Sequence, residues 1–255
     1  MVSNCTTPTV QDAQAIADRL VQVFPSIDAV LLCGSVARGD ADQWSDIDMV
    51  VIGSDAEITA QQLREALSDR QNRVSLIYHS TSSFQEHHRE GALFMAHLKK
   101  EGFALYDRLN LLRAIQDQPL APIENISEEI AAQQAKLAPY RDSRRFNNNF
   151  LFCLSHLYSI GKGVVMLALA KKGLLEFNRE AAFQRFASLN PDLATETEKI
   201  ARLRPFYRLV TDRHPEPLPF SYRSADQQMQ EAVRAIQALA ERAENNDFTS
   251  RTRIV

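Results

Sequence analysis

The stretch Leu31–Ile52 runs LLCGSVARGDADQWSDIDMVVI, and its punctuation decides the fold. A short apolar run ends at Gly34-Ser35, a polar loop follows, and Asp46 and Asp48 stand at the head of a second apolar run. Alternate residues of a strand face the same way. The two carboxylates are therefore expected to project side by side, close enough to share a divalent cation. Gly34 lets the backbone approach a ligand closely, and Ser35 adds a hydroxyl beside its own N–H. A phosphate cradle facing a carboxylate pair suits metal-assisted phosphoryl or nucleotidyl transfer. The plainer alternative is a polar hairpin carrying two solvated aspartates.

Working outward, Val10–Phe24 places Ala13, Ile16, Ala17, Leu20, Val21 and Phe24 at helical spacing, and Pro25 ends the helix. Asp28–Cys33 and Met49–Ile52 are predicted strands. Thr59–Asp69 is a short helix with Leu63, Ala66 and Leu67 on one face, and Arg73–Tyr78 a third strand. Gly91–Glu101 is a helix closed by Gly102, and Phe103–Tyr106 a short fourth strand.

Pro119 and Pro122 mark a change of character. Beyond Ile126 the spacing predicts helices over Glu128–Leu137, Phe146–Lys172, Arg179–Leu189, Leu193–Leu203 and Ala225–Asn245. Pro205 and Pro215–Pro219 mark an irregular region, and Asn246–Val255 a frayed tail. Gly161 and Gly163 interrupt the long helix and permit close packing or a kink. The fold class expected is α+β: strands and helices over 1–115, then an all-helical bundle over 116–255.

At 255 residues and 45% apolar content the chain can fill one large core or two modest ones. A net charge of −3 provides no global basic field toward nucleic acid or acidic lipid. Cys5, Cys33 and Cys153 are odd in number and far apart, with neither metal-ligand nor disulfide spacing. Cys33 continues an apolar strand and Cys153 lies on an apolar helix, so both are expected as buried thiols, in keeping with a reducing cytoplasm. The start MVSNCTTPTVQDAQ lacks the basic and apolar segments of a secretory leader, and the longest uninterrupted apolar run, Val164–Ala170, is shorter than a bilayer span. No membrane association is expected. The apolar helix over 150–172 is compatible with a homodimer interface or with a monomer's core.

The Gly34-Ser35 turn, followed by Asp46 and Asp48 at 11 and 13 positions after Ser35, resembles the signature of the polymerase-β-like nucleotidyltransferase superfamily. Ser45 ahead of the pair and Ile47 between its members fit as well. The resemblance covers Val10 to Asp107, and LFMAHLKKEGFALYD is similar to the helix-strand closure of stand-alone bacterial members. Minimal and antibiotic-modifying members often carry a helical bundle after the palm. The resemblance implies a nucleoside triphosphate as donor and Mg²⁺ or Mn²⁺ held by Asp46 and Asp48. It implies phosphate held by Gly34 and Ser35 with Ser45 and Arg38 alongside, and a small molecule, protein side chain or RNA end as acceptor. A solvated loop arginine is the alternative for Arg38. A toxin-like partner is a further implication.

One position departs from that pattern. The family usually carries a third carboxylate on the next strand, and Ser75 stands there in Val74-Ser75-Leu76-Ile77. A neutral hydroxyl neither balances a second metal nor takes a proton well near pH 7. The chain is then a nucleotide-binding regulatory or antitoxin-like protein without turnover, an enzyme drawing its base from elsewhere, or a chain whose third strand aligns differently. Candidate replacements are Glu86 and Glu90 after that strand, Asp40 and Asp42 in the spacer, and His79 at the strand end. Each also fits as a surface or structural residue. His87-His88 are adjacent and cannot chelate as an i, i+4 pair, so they are expected at the surface. Trp44 stacks on a base or anchors its loop. Arg141, Arg144 and Arg145, ahead of Asn147-Asn148-Asn149, face a phosphate or form a solvated helix start. Arg208 and His214 match the permissive pattern of HEPN ribonucleases, although Pro215 argues against a mid-helix histidine.

Overall fold

The computed structural model describes residues 6–54, 58–67, 73–119, 123, 125–146, 149–211, 217–219 and 224–245. Its contacts divide into two compact units, Met1–Glu124 and Asn125–Val255.

The first unit runs α1 (Val10–Val23), β1 (Ile27–Cys33), α2 (Gly34–Arg38), β2 (Ile47–Gly53), α3 (Ala60–Leu67), β3 (Val74–Ser80), α4 (Thr81–Arg89), α5 (Leu93–Glu101), β4 (Phe103–Asp107) and α6 (Leu111–Asp117). Among the described residues the strands form one mixed sheet in the order β3-β2-β1-β4. β1 is antiparallel to β2 and β4, and β2 is parallel to β3. All seven residues of β1 are buried because helices cover both faces of the sheet, which is why its sequence shows no polar alternation. Ile16 and Leu20 of α1 and Leu63 and Leu67 of α3 pack with Val30, Leu32, Met49 and Val51 on one face. Phe84, Met95, Leu98 and Leu112 pack with Leu31, Cys33, Val50 and Ile52 on the other. Asp48 shares the parity of Val50 and Ile52, so it lies at the end of this second face.

Three short helices of this unit depart from the expectation. The segment after Gly34 opens as helix α2, not as loop, because Val36 is anchored in the core. Gly39, at φ +80°, ends α2 in a left-handed cap. α4 carries one buried apolar residue, Phe84, and so has no helical periodicity to detect; its start is fixed by the Ser80 side chain accepting from the Ser83 N–H. α6 is started by Asp107, whose carboxylate accepts from the Leu111 and Leu112 N–H groups at 2.8 and 2.9 Å.

The second unit is helical: α7 (Ile126–Ala135), α8 (Phe150–Lys171), α9 (Arg179–Leu189), α10 (Ala194–Ala201), α11 (Arg204–Val210) and α12 (Ala225–Asn245). The Pro205 region, expected as irregular, is helix α11 with the proline in its first turn, where its missing N–H costs nothing. Among the described residues α8 is long and apolar enough, by length and composition, to cross a membrane. The sequence expectation weighed only the uninterrupted run 164–170 and missed this. In this unit α8 is the core helix: α7, α9, α10, α11 and α12 pack around it, and Leu154, Leu157, Val164 and Leu169 are fully buried. The tail 246–255 and His214 lie outside the described residues.

Candidate active site

Gly34 and Asp48 form the corner of the site. Cys33, the last residue of β1, pairs with Asp48 of β2, so the chain turns into α2 directly beside the Asp48 carboxylate. Gly34 takes φ +73°, a left-handed conformation that favours glycine. A Cβ on Gly34 would overlap Asp48 Oδ2 and lie 3.1 Å from its Cγ. The glycine is thus required twice, by its dihedral and by the carboxylate it faces. Asp46 comes one residue before β2, and both acids are partly exposed. Ser35 is half-buried, and its hydroxyl has no hydrogen-bond partner among the described residues.

The spacer between α2 and β2 is ordered by Asp42. Its carboxylate accepts from the Trp44 N–H at 2.9 Å and from Ser45 Oγ at 3.1 Å, while the Asp42 N–H donates to Ser45 Oγ at 2.9 Å. The Ser45 hydroxyl is therefore engaged in the turn that delivers Asp46. Asp40 and Arg38 pair at 3.2 Å.

Parallel pairing of β2 with β3 sets Ser75 directly beside Asp48. On the neighbouring strand, the residue level with Asp48 is thus a serine. The other proposed replacements are elsewhere: Glu86 and Glu90 are exposed on α4 and its C-cap, and His79 pairs with Ile52, toward the far end of the strand. His79 packs against Phe84, Phe94 and His87. Burial, with His87 adding to it, lowers its pKa. The His87 side chain is 42% exposed, as expected of a surface residue, whereas His88 is partly buried. His88 Nε2 is 2.9 Å from Gln118 Oε1, because α4 lies over the sheet. Arg141 and Arg145 are exposed, and Arg208 is on α11.

Sequence reasoning missed Glu101. Its side chain is 7% exposed at the last residue of α5, and it accepts from Arg38 Nη1 at 2.7 Å and pairs with His97 Nε2 at 3.1 Å. Burial raises the Glu101 pKa, but the hydrogen bonds and charges of His97 and Arg38 outweigh it, and the net shift is downward. The His97–Glu101 spacing of i, i+4 was visible; the partner 63 positions away was not. The Cys33 thiol senses the same corner: burial first, then the negative charges of Asp48 and Glu101, push its pKa up to about 12.

Two carboxylates beside a side-chain-free turn suit a small hard cation that keeps several waters and takes its remaining ligands from substrate phosphates. No cluster of three or more metal-binding side chains occurs among the described residues.

Residues 14–110 match the family described as Polymerase beta, Nucleotidyltransferase. None of the curated proteins matches the sequence. Among solved structures, the spectinomycin adenyltransferase AAD(9) from Enterococcus faecialis, solved with ATP and spectinomycin, aligns with a TM-score of 0.55 at 12% identity, covering 90% of this chain and 100% of that one. A nucleotidyltransferase-like protein from Exiguobacterium sibiricum aligns with a TM-score of 0.41 at 12% identity, covering 90% of this chain and 75% of that one. At 12% identity the first likeness establishes a shared fold.

Proposed function

We propose, from the premise that residues 14–110 are a nucleotidyltransferase domain of the polymerase β family, that this chain moves a nucleoside monophosphate from a nucleoside triphosphate to a hydroxyl group. The observation that carries the reading is the packing of Gly34 against the Asp48 carboxylate, with Asp46 immediately ahead of the same strand. Asp46 and Asp48 would hold Mg²⁺ or Mn²⁺. Such a cation supplies charge neutralisation for the triphosphate and for the departing pyrophosphate. Gly34, lacking a side chain, lets the Asp48 carboxylate close against the turn that carries Ser35. Ser35 offers its hydroxyl and its N–H. Arg38 adds a fixed positive charge, and Ser45 positions Asp46 through its turn with Asp42. The acceptor we favour is a small hydroxylated molecule, because the fold is shared with a protein solved with ATP and spectinomycin. Soluble, cytoplasmic residence fits the buried free thiols Cys33 and Cys153.

A second reading, nucleotide binding without turnover, is favoured by Ser75 beside Asp48. A hydroxyl there takes no proton from an acceptor near pH 7. The deciding experiment is pyrophosphate release from each of the four ribonucleoside triphosphates with Mg²⁺ or Mn²⁺ and a panel of aminocyclitols and other polyols. The control is the Asp46→Asn/Asp48→Asn double variant. Release that the double variant abolishes supports transfer. Saturable triphosphate binding with no release across the panel supports the second reading.

A further inference from the structure

We propose that Glu101 is a positioning residue for nucleotide binding: it holds the Arg38 guanidinium beside the Gly34–Ser35 turn, ready to meet the triphosphate. The inference rests on the nucleotide-binding reading above and extends it to a residue on a different element.

Glu101 is badly placed for any role confined to its own helix. It is the final residue of α5, where the helix dipole disfavours a negative charge, and its side chain is 7% exposed, where a carboxylate is costly without partners. A glutamine or an apolar residue would serve packing better. What Glu101 gains there is Arg38 Nη1 at 2.7 Å, with His97 Nε2 at 3.1 Å on its other side.

Arg38 ends α2, the helix that begins at Gly34, so the ion pair ties the turn carrying Ser35 to α5 across the end of the sheet. The guanidinium is gripped twice: Nη1 by Glu101 and Nε by Asp40 at 3.2 Å. Nη2 has no partner among the described residues. Arginine has five donors in a rigid fork, so two carboxylates can orient it while N–H groups remain for a phosphate oxygen. A free arginine must give up its rotamer freedom when it binds an anion; one already fixed gives up little. The buried partner, Glu101, defines the fixed geometry, because Asp40 is on an exposed loop.

The test is calorimetric titration of the full chain with each of the four ribonucleoside triphosphates in the presence of Mg²⁺. Wild type, Glu101→Gln, Glu101→Asp, Arg38→Ala and the Arg38→Ala/Glu101→Gln double variant are compared, with thermal melts as a check on folding. The expected result is about tenfold weaker binding in Glu101→Gln and in Arg38→Ala, with the double variant no weaker than Arg38→Ala alone. Glu101→Asp should restore part of the affinity. A Glu101→Gln protein that melts normally and binds as tightly as wild type overturns the proposal and leaves the nucleotide-binding reading standing. Tighter binding would mean that Glu101 competes with phosphate for Arg38, and overturns it too. Additive losses in the double variant would mean that Glu101 acts independently of Arg38. If wild type binds none of the four triphosphates, the underlying reading falls and takes the proposal with it.

Discussion

Gly34 sits against the carboxylate of Asp48 so closely that no other residue fits without moving it: a Cβ there would overlap Oδ2 and stand 3.3 Å from the Asp48 Cβ. The positive φ of Gly34 adds a backbone penalty of about 1–2 kcal/mol for any L side chain. Gly34→Ala should therefore lower the unfolding free energy by about 1–3 kcal/mol once the displaced Asp48 is included. Divalent-dependent triphosphate binding should fall by at least tenfold. Urea unfolding and calorimetry read the two effects separately. A variant that is destabilised but binds normally would show that Asp48 does not need this position.

The pairing of Ser75 with Asp48 makes a second prediction. Like charges side by side on neighbouring strands are destabilising by a few tenths of a kcal/mol to about 1 kcal/mol. Ser75→Asp should accordingly lower the melting temperature in the absence of divalent ions. Added Mn²⁺ should then raise it more in the variant than in wild type, because a third carboxylate completes a metal-binding group. An equal Mn²⁺ response in both proteins would mean that the two acids do not converge on one ion.

Much of this architecture was legible in the sequence, for identifiable reasons. β1 and β2 are buried on both faces, so they appear as continuous apolar runs. α1 declares itself through its period and through Thr9, whose hydroxyl accepts from the Asp12 N–H at 3.2 Å in a capping box. The Gly-Ser and Asp-x-Asp spacing pointed to the corner that Gly34 and Asp48 form. What escaped carried little local signal, since α6 turns only Leu111, Leu112 and Ile115 inward. α4 holds itself by a serine cap and one phenylalanine, and α6 by an aspartate of the preceding strand. The Arg38–Glu101 pair joins elements 63 positions apart, and no window of sequence can show that. His88 looked like a surface residue because its cover, including Gln118, comes from thirty positions downstream.

Thiol chemistry gives a third prediction. Burial, reinforced by the charges of Asp48 and Glu101, holds the Cys33 thiol at a pKa of about 12, and burial holds Cys153 at about 11. A raised thiol pKa means the neutral form persists well above physiological pH. At pH 8 the Cys33 thiolate is on the order of one part in ten thousand. Iodoacetamide at pH 8 should therefore leave both residues unmodified in the folded protein and alkylate them in urea, as read by peptide mass mapping. Bound Mg²⁺–triphosphate should not expose Cys33. Rapid alkylation of Cys33 in the native protein would mean that the β1 end opens, and with it the Gly34 corner.

The last prediction concerns the helical unit. Gly161 is in the middle of α8, and a Cβ there would overlap Ile200 Cγ2 of α10 and stand 3.3 Å from Ile236 Cγ1 of α12. Gly163, two residues on, faces the flexible side chain of Gln133, at 3.2 Å from its Cδ. The two glycines looked alike in the sequence, but only Gly161 is pressed by branched side chains from two helices. Alanine in a helix interior is favoured over glycine by about 1 kcal/mol. Overpacking a tight core costs about 1–3 kcal/mol. At Gly163 the propensity should win, because the glutamine can move aside. At Gly161 the clash should win, because Ile200 is fully buried and β-branched. Gly161→Ala should thus lower the urea midpoint and Gly163→Ala should leave it unchanged or raise it slightly. Equal responses at the two sites would contradict the close packing of α8 against α10 and α12.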